Sequence, residues 1–147
     1  MDPTLTHLSY DDCWLLLATQ EVGRLGVLAD HYPVVLPVNF ALDGKVLVVR
    51  LGDGRTHAAA VSANVTFEVD QIDAATRSGW SVLVRGLAEE VTDAHREDLV
   101  ARTRASGASP WAPGERGRWM RIIPHSVTGR RIVPGDLPPP FLDAGYL

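Results

Sequence analysis

Apolar positions recur at helical spacing at the start of the chain and then at a spacing of two. Ser9 followed three residues later by Asp12 marks a helix start, with the acid at the positive end of the helix dipole. Cys13, Leu16, Leu17 and Gln20 fall on one face, which predicts a helix over 9–20 ended by Gly23. Strands are predicted over 24–29, 34–42, 45–51, 65–70 and 80–91, with a turn at Asp30-His31-Tyr32-Pro33 and a hairpin at Asp43-Gly44. Pro37 lies inside the second strand; a proline donates no ladder hydrogen bond, so it belongs at an edge, a bulge or a ligand. A short alanine-rich helix is expected over 56–62 and a polar loop over 71–79. Thr92 is expected to cap a helix reaching about Arg104, with Leu99, Val100 and Thr103 inward and Gly107 closing it. A loop over 108–117 leads to a last strand, 119–123 and 127–133, broken at Pro124. Residues 134–147 form a proline-rich tail, read as extended.

Hairpin-linked strands with few helices favour a closed antiparallel barrel, because parallel strands need a crossover helix that the 34–51 hairpin lacks. The 147 residues suit one domain, placed at 1–133 with the tail outside it. The lone Cys13 has no internal disulfide partner, which points to a reducing compartment. The opening run MDPTLTHLSYDD has neither the basic nor the apolar region of a signal peptide, and the apolar run 13–18 is too short to span a bilayer. A soluble, cytoplasmic protein is the expectation. The formal charge of −4 does not favour nucleic acid or an anionic membrane as partner, although a local basic pocket is compatible with it.

The side chains that carry chemistry are few. The five histidines are scattered and match no metal-ligand spacing, so no metal is expected. Cys13 sits in an apolar helix face and reads as a buried small residue rather than a nucleophile. Glu89-Glu90 and Asp11-Asp12 are adjacent pairs whose members point apart, and no catalytic acid or base stands out. The turn Gly52-Asp53-Gly54-Arg55-Thr56 has neither the dinucleotide nor the P-loop glycine pattern, since His57 stands where the third glycine would be. Arg50 and Arg55 flank it. Two guanidiniums at a glycine turn suit a phosphate; two surface arginines at a loop is the competing reading. Trp80, Trp111 and Trp119 suit barrel packing singly, and together with Arg121 a flat aromatic pocket.

Ordered along the chain, Gly23-Arg24-Leu25-Gly26, PVNF at 37–40, DGKVLVVR at 43–50, FEVDQID at 67–73, GWSVLVRG at 79–86, W-x-R-I-x-P at 119–124 and TGRRI at 128–132 resemble the pyridoxamine 5′-phosphate oxidase-like split-barrel family, over about residues 8–133. The resemblance implies a mainly β fold, a six-stranded antiparallel split β-barrel with a few short helices. It also implies a homodimer holding two cofactors between its subunits. The flavin ring would lie along Pro37, Val38, Asn39 and Phe40. The phosphate would meet Arg50, Leu51, Arg55 and Thr56. The partner would supply residues matching Trp80, Ser81, Trp119 and Arg121. Relatives often carry lysine at Arg55, threonine or serine at Leu51 and tyrosine at Phe40.

The function implied is an oxidoreductase that uses FMN on a small-molecule substrate, with catalytic residues unassigned. A deazaflavin-dependent reductase is the alternative, with Arg130 and Arg131 as further cationic candidates. A non-catalytic flavin-binding, storage or sensor protein is the reading from a different class.

Overall fold

The computed structural model describes residues 2–135, so most of the expected tail lies outside the described residues. Seven strands alternate with three short helices: β1 Thr4–His7, α1 Tyr10–Leu17, β2 Val22–Ala29, β3 Tyr32–Asp43, β4 Val46–Leu51, α2 Arg55–Ala60, β5 Ala63–Asp73, β6 Ser78–Val91, α3 Glu97–Ala105 and β7 Arg118–Val133. Every pairing is antiparallel. Hydrogen-bonded neighbours run β1-β7-β4-β3-β2-β5-β6, and β6 closes back onto β7. The expected split barrel is present, its six strands being β2 to β7. The seventh, β1, adds to one half of β7, at Thr4↔Val133 through His7↔Arg130.

β7 organises the closure. One of its edges pairs with β6 from Trp119 to Ile132. The other edge pairs with β4 over Arg118–Ile122 and with β1 over Arg130–Val133. The expected break at Pro124 is a register shift opposite Arg85 and Gly86 within one continuous strand. At that bulge a Cβ on Gly86 would collide with the Ile123 carbonyl oxygen.

Several other boundaries differ from the periodic reading, each for a local reason. Ser9 caps α1 as expected, accepting from the Asp12 N–H at 3.1 Å, but the helix ends at Leu17. Gly23 does not terminate it. It is buried inside β2, where a Cβ would collide with the Phe67 ring. The turn before β3 is only Asp30-His31, both at positive φ, as a two-residue hairpin of the mirror type requires. The expected loop at 71–79 is instead the exposed end of the β5–β6 ribbon. Its tight turn is held by Asp73 Oδ1, which accepts from the N–H groups of Ala75 and Thr76. Thr92 caps no helix: a separate turn closes from His95 N–H to the Thr92 carbonyl, and α3 begins at Glu97.

The barrel interior is filled by alternate residues of the strands, among them Leu25, Leu47, Phe67, Val82, Val84 and Ile122. Burying a side chain the size of Phe67 contributes about 1.5–3 kcal/mol. α1 packs Cys13, Trp14 and Leu17 against this core.

Candidate functional site

The barrel is split between β3 and β4. These strands pair only over Phe40–Asp43 with Val46–Val49, whereas β3 pairs with β2 along Tyr32–Asn39. Among the described residues the second edge of Tyr32–Asn39 therefore has no strand partner. The Phe40 N–H donates to the Glu21 carbonyl at 3.0 Å, so even-numbered residues of β3 direct their backbone groups to β2. Pro33 and Pro37, odd-numbered, turn their missing donors to the open edge and cost the ladder nothing. Beyond Leu51 the chain leaves the sheet through Gly52-Asp53-Gly54 into α2, with Gly54 at a φ of 152° that favours glycine. The result is a cleft of about 450 Å³, open to solvent, within the size range of cofactor sites.

The 36–39 and 50–56 segments face each other across this cleft, so the structure brings Pro37, Val38, Asn39, Arg50, Leu51, Arg55 and Thr56 together. Pro110, Ala112 and Arg116 of the 108–117 loop complete the lining. Two hydrogen bonds fasten that loop: Trp111 N–H donates to Asn39 Oδ1 at 2.8 Å, and Arg50 Nε donates to the Arg116 carbonyl at 3.1 Å. Arg50 also stacks on the Trp119 ring, 4.6 Å from its centroid, across the β4–β7 pair. Arg55 is 91% exposed, and its only ion pair among the described residues, with Asp30, is long at 3.6 Å. An exposed pair of that kind is worth little, which leaves the guanidinium available to an anion. With six residues, α2 contributes little as a dipole, so the positive charge of the cleft rests on Arg50, Arg55 and Arg116.

Other expected site residues lie elsewhere. Phe40 faces inward, 4% exposed, edge-on to Phe67 at 5.2 Å. Leu51 is also turned into the core, although the residue borders the cleft. Trp80 is buried and borders a separate groove with Ser78, Gly79 and Arg131, whereas Ser81 is half-buried opposite Asp70 and Arg130. In its own chain neither faces the cleft. Arg121 is no pocket residue. It is 7% exposed, and its Nη1 donates to Asp43 Oδ2 at 2.8 Å and to Thr103 Oγ1 at 3.0 Å, tying α3 to the sheet. The hydrogen bond from Arg121 holds the Asp43 carboxyl below its usual range.

Arg116 escaped the sequence reading because it stands in a loop of prolines and glycines with no periodicity; the basic residue itself was the only signal. A second electrostatic feature lies on the outer face of β2 and β5. Arg24 Nη1 reaches Glu68 Oε1 and Asp70 Oδ2, each at 3.4 Å. Burial, and next a hydrogen bond shared with Asp70, push Glu68 up to about 7 despite the guanidinium. Burial also raises the Cys13 thiol, in keeping with a packing role. Among the described residues no group of three or more His, Cys, Asp or Glu is placed to hold a metal, and no helix is long and apolar enough to cross a membrane.

Fold and cleft together define an antiparallel split-barrel protein with a cationic, ligand-sized seam. The sequence model of pyridoxamine 5′-phosphate oxidase matches residues 9–131. Among curated proteins, Rv0080 of Mycobacterium tuberculosis, itself uncharacterized, is 33% identical over 135 residues, 88% of this chain and 86% of that one. Among solved structures, the FAD binding protein from Mycobacterium smegmatis is similar at 32% identity and a TM-score of 0.67, covering 87% of this chain and 98% of its own. A FAD-binding protein from Mesorhizobium loti is similar at 25% identity and a TM-score of 0.65, covering 89% and 98%. The chain belongs to the pyridoxamine 5′-phosphate oxidase-like family.

Proposed function

We propose that the chain is a flavin-binding oxidoreductase that acts as a homodimer, with the phosphate end of FMN in the β3–β4 cleft. The observation that carries this reading is the convergence of Arg50, Arg55 and Arg116 on one open seam whose other wall is a strand edge. Guanidiniums suit a phosphate, which accepts paired N–H donors. The extended 36–39 wall offers a flat surface for a planar ring. When bound, the flavin would supply the redox chemistry on a small-molecule substrate. The residues of the chain would anchor its phosphate, align its ring and restrict water. Asp53 is the only acid, and no histidine or cysteine lines the cleft among the described residues, which suits a protein that positions its cofactor rather than moving protons.

FAD is a second reading, favoured by Arg116: a third cation suits a diphosphate better than a monophosphate. The flavin-binding relatives named above support either form. The dimer rests on a groove of about 880 Å³ bordered by Leu28, Val35, Leu87 and Ile123, all exposed apolar residues. An apolar surface of this kind marks an association site. In a dimer, Trp80, Ser81 and Trp119 of the partner would close the cleft.

The absorbance spectrum of the purified protein and titrations with FMN, FAD and riboflavin test the reading. Flavin bands, tighter binding of the phosphorylated forms than of riboflavin, and a dimer on sedimentation are expected. A colourless protein that binds none of the three would overturn the flavin assignment, and a monomer would overturn the shared site.

A further inference from the structure

The wall that carries Arg55 also carries an acid. Asp53 lines the cleft two residues before Arg55, where its carboxylate would oppose an anionic ligand. It stands on a ridge, because it also lines a second groove on the other side with Glu90, Arg104 and Arg118. Arg118 lines that second groove but not the cleft. Its Nε donates to Asp53 Oδ1 at 2.6 Å and its Nη1 to Glu90 Oε2 at 3.2 Å. Glu90 is fixed in turn by His57 at 2.7 Å, with both side chains 15% exposed. The guanidinium that meets Asp53 is thus held from the far side of the ridge by a partly buried carboxylate, on the first residue of β7.

We propose that Arg118 is a positioning residue for the cleft: it draws the Asp53 carboxylate away from the seam and offsets its charge, so that the face presented by Arg50, Arg55 and Arg116 is positive. Two further observations agree. The hydrogen bond from Arg118 holds the Asp53 carboxyl below its usual range, so the pair stays ionised at neutral pH. Burial alone would raise Glu90, but hydrogen bonds from His57 and Arg118 outweigh it and keep that anchor ionised as well. Without Arg118, Asp53 would stand free, two residues from Arg55, both to repel a phosphate and to compete for the arginines.

The inference rests on the phosphate reading of the cleft, and the experiment separates the two. FMN and riboflavin are titrated into the wild type, Arg118→Gln, Arg118→Lys, Asp53→Asn and the Asp53→Asn/Arg118→Gln double variant. Arg118→Gln should weaken FMN binding roughly tenfold, as expected for one uncancelled charge near a phosphate, and leave riboflavin binding unchanged. The loss should shrink as salt is raised. Arg118→Lys should retain most of the affinity, and the double variant should bind FMN like the wild type. Should Arg118→Gln not fold, Asp53→Asn in the wild-type background decides: equal or tighter FMN binding agrees, and weaker binding means that Asp53 itself contacts the ligand. FMN affinity unchanged in Arg118→Gln, or as weak in the double variant as in the single, would overturn the proposal while leaving the phosphate site intact. A wild type that does not distinguish FMN from riboflavin would overturn both.

Discussion

Two groups of arginines in this molecule do opposite work. Arg121 is buried under α3, and one of its nitrogens serves both Asp43 and Thr103. Arg50, Arg55 and Arg116 border the open seam, where the pairing of Arg55 is long and exposed. Arg121 and Arg50 lie on adjacent paired strands, and both stand in runs of valine, isoleucine or methionine. The difference is what covers them. A helix lies over Arg121, which is committed to the fold, whereas Arg55 stands 91% exposed in solvent; Arg50 lies between the two, held by the Arg116 carbonyl and the Trp119 ring.

The sharpest way to break this comparison is to truncate each side and ask what is lost. Arg121→Ala should destabilise the fold by about 3 kcal/mol, since it leaves the partly buried Asp43 carboxylate with only the longer 3.4 Å pairing to Arg102 and leaves Thr103 without its donor. Chemical denaturation measures this, and a loss under 1 kcal/mol would mean that α3 is not tied through this residue. Because the Asp43 carboxyl is lowered, the stability it contributes is present above the ordinary carboxylate range and fades as pH falls from there through its lowered value. The destabilisation by Arg121→Ala should therefore shrink in acid. Arg50→Ala and Arg55→Ala should do the reverse: little change in melting temperature, but FMN binding weaker by roughly ten- to a hundredfold, the equivalent of about 1.5–3 kcal/mol for a charge-assisted bond. Riboflavin should bind these variants as it binds the wild type. If instead both variants unfold, the seam arginines belong with Arg121.

Two smaller effects sharpen the same distinction. Cys13→Ala should cost about 1–2 kcal/mol of stability and no flavin affinity, because the side chain only fills space beneath Gly129. Loss of flavin binding in a folded Cys13→Ala protein would contradict that. Glu68→Gln is expected to have the smallest effect and the opposite sign. The folded protein raises Glu68 to about 7, so the native state holds a proton that the unfolded chain releases. Stability from this group is full below the usual carboxylate range and declines as pH rises toward 7. Glu68→Gln should melt higher than the wild type at pH 8, with the gain vanishing near pH 4; because Glu68 is 33% exposed, a shift of a few degrees at most is expected. No gain at pH 8 would show that Arg24 neutralises the pair.

The barrel was legible because its strands alternate and its hairpins carry turn residues that leave few choices. The Asp43-Gly44 hairpin and the Ser9 cap stand where the sequence places them. What was misread has a common physical origin. β1 and the far end of the β5–β6 ribbon are largely exposed, so no apolar alternation marks them. Gly23 looks like a helix stop in one dimension and is a close approach to Phe67 in three. Of the cleft, the 37–39 and 50–56 segments were readable from a proline in a strand and arginines at a glycine turn. Arg121 reads as a cation beside the tryptophans of a flat pocket, and nothing in the one-dimensional pattern shows that α3 is laid across that side of the sheet. The inward turn of Phe40 and Leu51 follows from strand alternation, whereas the resemblance implies that both meet the cofactor.

The placement of β1 has a consequence for how the molecule is made. Thr6 bonds to the carbonyl of Arg131, 125 residues further along. At a synthesis rate of about 5–20 residues per second, β1 waits roughly 6–25 s for its partner to be translated. β1 therefore has no partner strand until β7 is made, and it then joins the half of β7 that β4 leaves free. β1 is thus a closing stitch, and its attachment reports that β7 has reached its place in the sheet.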